Sequence, residues 1–102
     1  MEITADIRLS TLGLAAKAGK LVSGTQSVCD ALKEGKVIAV IEASAVAANT
    51  AKRLADRCAF YHVPLYVCAA DADALGRAVG KGPAAAVALC DASFAKAILG
   101  EH

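Results

Sequence analysis

The stretch "KVIAVIEASAVAANTAKRLADRCAFYHVPLYV", Lys36 to Val67, decides the fold. Its first part is β-branched and apolar at successive positions rather than alternating, the pattern of a strand covered on both faces. Its middle places Ala51, Leu54, Ala55 and Cys58 on one side and Lys52, Arg53, Asp56 and Arg57 on the others, which reads as an amphipathic helix. "VPLYVC" then reads as a second buried strand. A strand buried on both faces needs helices on both sides of its sheet, so this unit alone points to a layered α/β architecture.

The flanking segments continue the rhythm. "AAAVALC", Ala84 to Cys90, is a third apolar strand, and "DADALGRAVG" before it a short helix opened by Asp71 or Asp73 and closed by Gly80. "DASFAKAILG" closes the sequence as a helix capped by Asp91 or Ser93. Upstream, Thr4 to about Lys17 carries Leu9, Leu12 and Ala16 on one side and reads as a helix ended by Gly19, followed by an extended piece at Leu21 and Val22. The expected fold is a single domain over 1–102, a three-layer α/β/α sandwich around a small, mixed sheet. No G-x-G-x-x-G or Walker sequence opens any helix, so the shared rhythm does not make this a nucleotide-binding domain.

The segment "KLVSGTQSVCDALKEG", Lys20 to Gly35, opens a helix that invites a polar ligand. Ser23 and Thr25 are good N-cap residues, Ser23 with Gln26 fits a capping box, and Gly24 lets the chain turn into a helix beginning near Thr25. Val28, Ala31 and Leu32 form its apolar stripe, while Gln26, Asp30 and Lys33 recur on another face. The exposed first turn of such a helix carries N–H groups and the positive dipole end, suited to phosphate, a base edge or water.

Composition narrows the function. The 102 residues are 57% hydrophobic but only 4% aromatic, which argues against single-strand readers built on exposed aromatic rings. The net charge of +1 gives no overall field for nucleic acid, so any such binding is local and no DNA partner is expected. Basic residues gather at Lys17 and Lys20, at Lys33 and Lys36, at Lys52, Arg53 and Arg57, and at Arg77 with Lys81. The apolar runs fall far short of the roughly 20 residues of a membrane helix, and "MEITADIRLS" lacks the basic-then-apolar pattern of a signal peptide. A cytoplasmic location is expected.

Cys29, Cys58, Cys68 and Cys90 show no C-x-x-C spacing and sit in apolar segments, as small buried hydrophobes do. Cys58 and His62 stand four apart, yet no second ligand pair supports a metal and no neighbouring acid supports a nucleophile. Glu42 ends an apolar strand, where an acid needs a partner or water. Glu42 and Asp91 stand singly, so no enzyme and no cofactor are expected.

Taken together, "GLAAKAGKLVSGTQSV", "NTAKRLADRCAFYHVPLYV", "DALGRAVGKGPAAAVAL" and "DASFAKAIL" resemble, in order and spacing, the ribosomal protein seven-Ae and thirty-e family over about Gly13 to Leu99, nearest its bacterial YlxQ/YbxF-like branch. The "VIEASAVAAN" segment also resembles a subgroup joined to a YlxR-like domain. The resemblance implies a non-catalytic binder of kink-turn or other structured RNA, linked to the ribosome and translation. The family's second helix starts with a pattern like G-x-N-E-x-x-K. By position Gly24 keeps its glycine, Gln26 replaces the asparagine, Ser27 the glutamate and Asp30 the lysine. Asp30 thus places a negative group where a phosphate partner is usual. The family's second contact, the loop after an L-G-x-A-x-G pattern, corresponds to Val79, Gly80, Lys81, Gly82 and Pro83, with Val79 and Pro83 facing a base and Lys81 a phosphate. The plain alternative is a helix-to-strand turn. Lys20, Thr25 and Lys33 complete the implied RNA-binding set, with Lys20 and Lys33 expected to flank the same end. The lost asparagine, glutamate and lysine leave a second function open: a protein-interaction or scaffold domain of the same fold.

Overall fold

The computed structural model describes residues 2–4 and 9–99. The chain runs β1 (Glu2–Thr4), α1 (Leu9–Lys17), β2 (Leu21–Ser23), α2 (Thr25–Lys33), β3 (Ala39–Glu42), α3 (Ala48–Phe60), β4 (Leu65–Val67), α4 (Ala72–Ala78), β5 (Ala86–Leu89) and α5 (Ala92–Leu99). The five strands form one sheet in the order β1-β4-β3-β5-β2. β1, β4 and β3 are parallel, while β5 is antiparallel to both β3 and β2. The sheet is therefore mixed.

Every residue of β3 and β5 is buried, as the uninterrupted apolar runs require. Period-two alternation sends their side chains to two cores. Ala39, Ile41, Val87 and Leu89 join Leu12, Leu75 and Ile98 on one face, beneath α1, α4 and α5. Val40, Ala86 and Ala88 join Val28, Leu32, Leu54 and Cys58 on the other, beneath α2 and α3. The three layers expected from the sequence are these.

One expectation fails at the start of the chain. Thr4 belongs not to the first helix but to β1, whose Glu2, Ile3 and Thr4 pair with Leu65, Tyr66 and Val67. The β-branched Ile3 and Thr4 suit a strand, and pairing with a partner some 60 residues away overrides the local helical pattern. Residues 5–8 lie outside the described residues.

The register fixes which loops meet. Glu42 pairs with Ala86 and Ser23 with Val87, so the end of β3, the start of β5 and the end of β2 share one end of the sheet. Hydrogen bonds from Gly24 N to Ala86 O (2.9 Å), Ala43 N to Ala85 O (2.8 Å) and Ser44 N to Ala70 O (2.8 Å) stitch that end together. α2, α3 and α4 all begin there, and α4 returns its C-terminal loop to it.

Candidate RNA-binding end

The first turn of α2 is built differently from the sequence expectation. Gly24 is the N-cap, with φ +97°, and no side chain caps the helix. That backbone conformation suits glycine, and it ties Gly24 N to β5 while Gly24 O accepts from Val28 N at 2.9 Å. Ser23, held in β2 against Val87, forms no capping box. Gln26 points elsewhere: its Nε2 donates to Asp30 Oδ1 (3.0 Å), and its Oε1 accepts from Arg53 Nη2 of α3 (3.1 Å). Asp30, in the position of the usual lysine, is thus tied to the amide, and a cation from the neighbouring helix arrives beside it. Thr25 is half-buried, while Gln26, Ser27 and Asp30 are exposed.

The 79–83 loop folds back over α4. Lys81 N donates to Gly76 O (2.9 Å) and Gly80, at φ +73°, turns the chain. A Cβ on Gly76 would lie 2.1 Å from Gly82 O, so the loop crosses α4 where only glycine fits. Val79 is only 6% exposed and belongs to the core beside Leu12 and Leu75, so it offers little surface to a base. Gly80, Lys81, Gly82 and Pro83 are exposed.

The two regions border one groove of about 660 Å³, lined among others by Ser23, Ser27, Val79, Gly80 and Lys81. From there it runs along Leu21 and Val22 of β2, between α1 and the end of α4 with Arg77. Lys20 and Lys33 do not join this end. Lys20 O accepts from Cys90 N (2.9 Å) at the opposite end of β2, and Lys33 closes α2, which runs back to the start of β3. The strand and helix lengths, roughly 3.3 Å and 1.5 Å per residue, hold both lysines about 10 Å or more from Gly24.

Three cations that matter here were visible only as helix-face residues in the sequence: Arg53, Lys17 and Arg77. Assigning them needs the knowledge that α2 and α3 lie side by side and that α1 meets the end of α4.

Cys29, Cys58 and Cys68 are buried and Cys90 half-buried, all unbridged. Burial, aided by the fields of Cys29 and buried Glu42, pushes the Cys58 thiol up to about 11, and burial likewise raises Cys68 and Cys90. His62 lies beyond α3 with φ +58°, exposed, so it forms no dyad with Cys58. No group of His, Cys, Asp or Glu that could hold a metal occurs among the described residues, and no described helix is long and apolar enough to cross a membrane.

A three-layer α/β/α domain with a glycine-capped second helix beside a glycine-proline loop is a ribosomal-protein-like class of fold. The chain belongs to the ribosomal protein L7Ae/L30e/S12e/Gadd45 family, whose model matches residues 8–99. It is 35% identical over 88 residues to the RNA-binding protein YlxQ of Bacillus subtilis (strain 168), covering 86% of this chain and 87% of that protein. The RNA-binding protein YlxQ of Enterococcus faecium is 30% identical, covering 86% and 84%. Both relatives are named as RNA-binding proteins, not as enzymes. Among solved structures, a Bacillus halodurans protein of unknown function matches with TM-score 0.80 and 38% identity, over 87% of this chain and 89% of that one. The Giardia lamblia 15.5 kD RNA-binding protein shares the fold at TM-score 0.74 and 20% identity, over 86% and 75%.

Proposed function

We propose that this protein is a non-catalytic, cytoplasmic RNA-binding module that recognises a bent, kink-turn-like RNA in the ribosome or its assembly. The observation that carries the reading is the meeting of the α2 first turn and the exposed 80–83 loop at one end of the sheet. The helix terminus offers backbone N–H groups and a positive dipole end, Ser27 offers a hydroxyl, and Lys81 supplies a phosphate contact. The names of both YlxQ relatives support the same partner class. Arg53 brings a cation from α3 to the Gln26 amide that Asp30 also holds, and only one of its five N–H donors is used on Gln26, leaving others for backbone.

The test is a salt titration of binding to a kink-turn RNA beside the same RNA with its sheared G·A pairs changed to Watson–Crick pairs. Selective binding with a negative log–log slope is expected. Weak, equal binding to both RNAs would shift the function to a protein-interaction domain. One observation favours that second reading: Phe60 is 74% exposed, edge-to-face against Tyr61 with centroids 4.9 Å apart, at the other end of the sheet, where Ile38 is also exposed. A YlxR-like domain is a partner that reading would take.

A further inference from the structure

The groove beside the α2 first turn has a wall that the reading above does not use. α1 contributes Gly13, Ala16 and Lys17, edge strand β2 contributes Leu21, Val22 and Ser23, and the end of α4 contributes Arg77 and Ala78. α1 can approach the end of α4 closely because Gly13 lacks a side chain: a Cβ there would lie 2.9 Å from Ala78 O. The small residue thus lets the two helices meet at the groove.

Charge is distributed unevenly around this groove. Among the described residues Lys17, Arg77 and Lys81 line it, and no carboxylate does. All three are exposed, and none forms an ion pair among the described residues, whereas Lys36 and Lys52 are paired with Glu34 and Asp56 elsewhere on the surface. The helix termini sharpen the point. Lys17 ends α1 and Arg77 lies in the last turn of α4, so two negative dipole ends face this space. Without the cations the groove would repel an anion. With them it becomes a positive channel continuous, through Ser23 and Ser27, with the α2 first turn.

We infer that this groove is a phosphodiester channel, in which Lys17 and Arg77 hold the backbone of an RNA strand leaving the α2 first turn. The inference rests on the RNA-binding reading and extends it to a third element, α1. The groove carries long, exposed cations and apolar floor residues, with no buried polar group among its described lining to read a base edge. Its contribution is therefore affinity and strand direction, not sequence choice.

The experiment measures the dissociation constant of a kink-turn RNA against salt for the wild type, Lys17→Ala, Arg77→Ala and the double variant, with the Watson–Crick-repaired RNA in parallel. Each substitution removes one phosphate contact and should flatten the log–log slope by roughly 0.7–0.9, the double variant by about 1.5. The preference for the kinked RNA should stay as in the wild type, and Lys36→Ala, at the far end, should leave the slope intact. Wild-type binding with an unaltered slope in the double variant overturns the channel while leaving the RNA-binding reading standing. Loss of the kink preference in the double variant overturns its assignment as a backbone contact. No binding by the wild type overturns both.

Discussion

Gln26 is held at both ends of its amide, and this changes what Asp30 does. An aspartate in place of a lysine next to phosphate repels, but here its carboxylate also fixes the Gln26 Nε2 and so turns the amide oxygen toward Arg53. Asp30→Lys releases the amide, removes the repulsion and adds a cation. RNA affinity should rise about tenfold, one charge-assisted contact of about 1.5 kcal/mol, and the salt slope should steepen by roughly 0.7–0.9, both read in the same titration. Unchanged affinity and slope would remove this turn of α2 from the interface. The glycine at position 24 and the exposed polar face were legible in the sequence; the capping box was not borne out, because a strand pairing between Ser23 and Val87 took the residue away from the helix. The cysteines were legible as apolar, and their burial has a pH consequence. A thiol raised in the folded state keeps its proton where the unfolded chain loses it. Its contribution to stability is thus complete below the ordinary thiol pKa of about 8.5 and is lost as pH rises toward about 11, the value for Cys58. Urea midpoints should fall across that window, and Cys58→Val should make the fall shallower.

At the scale of elements, α4 is the piece on which the 79–83 loop depends. It has only seven residues, so its ends matter more than its propensity. Asp71 Oδ1 accepts from Ala74 N (2.9 Å), Ala84 N returns to Ala72 O (3.0 Å), and the loop crosses Gly76 between these points. Asp71→Ala should cost about 1 kcal/mol in urea unfolding and speed amide exchange at Lys81 more than at Val87 in the sheet. Equal acceleration at both sites would mean that the cap stabilises the whole domain and not this loop. The local helix-opening signal narrowed the caps to Asp71 or Asp73 and to Asp91 or Ser93, and the structure selects the first of each pair: Asp91 Oδ1 accepts from Phe94 N (3.0 Å). β3 and β5 were legible for a similar reason, since burial on both faces leaves an unbroken apolar run; β4 was legible from its apolar residues although only Leu65 of it is buried. β1 was not, because three residues carry too little pattern to show a partner some 60 positions away.

At the scale of the whole molecule, the net charge of +1 conceals two unlike ends. One end gathers the α2 first turn and the 80–83 loop, and from it the groove runs along β2 past Arg77 to Lys17 at the end of α1. The other gathers Lys20, Lys33, the Lys36–Glu34 pair and the exposed Ile38 and Phe60. Sequence alone assigned Lys20 and Lys33 to the first end, since neighbours along the chain look like neighbours in space until the sheet register separates them. A hydrogen-exchange footprint with a kink-turn RNA tests the division directly. Protection should fall on residues 24–30 and 79–83, with 33–38 and 60–62 exchanging as in the free protein. Protection confined to the second set would place the ligand on the aromatic end and favour the scaffold reading. Protection spread over both would require the RNA to wrap a body whose principal extents are 28 × 25 × 25 Å. That is a poor match to a local positive site on a near-neutral surface, where electrostatic attraction fades within a Debye length of about 8 Å. The expected confinement therefore follows from charge placement as much as from helix geometry.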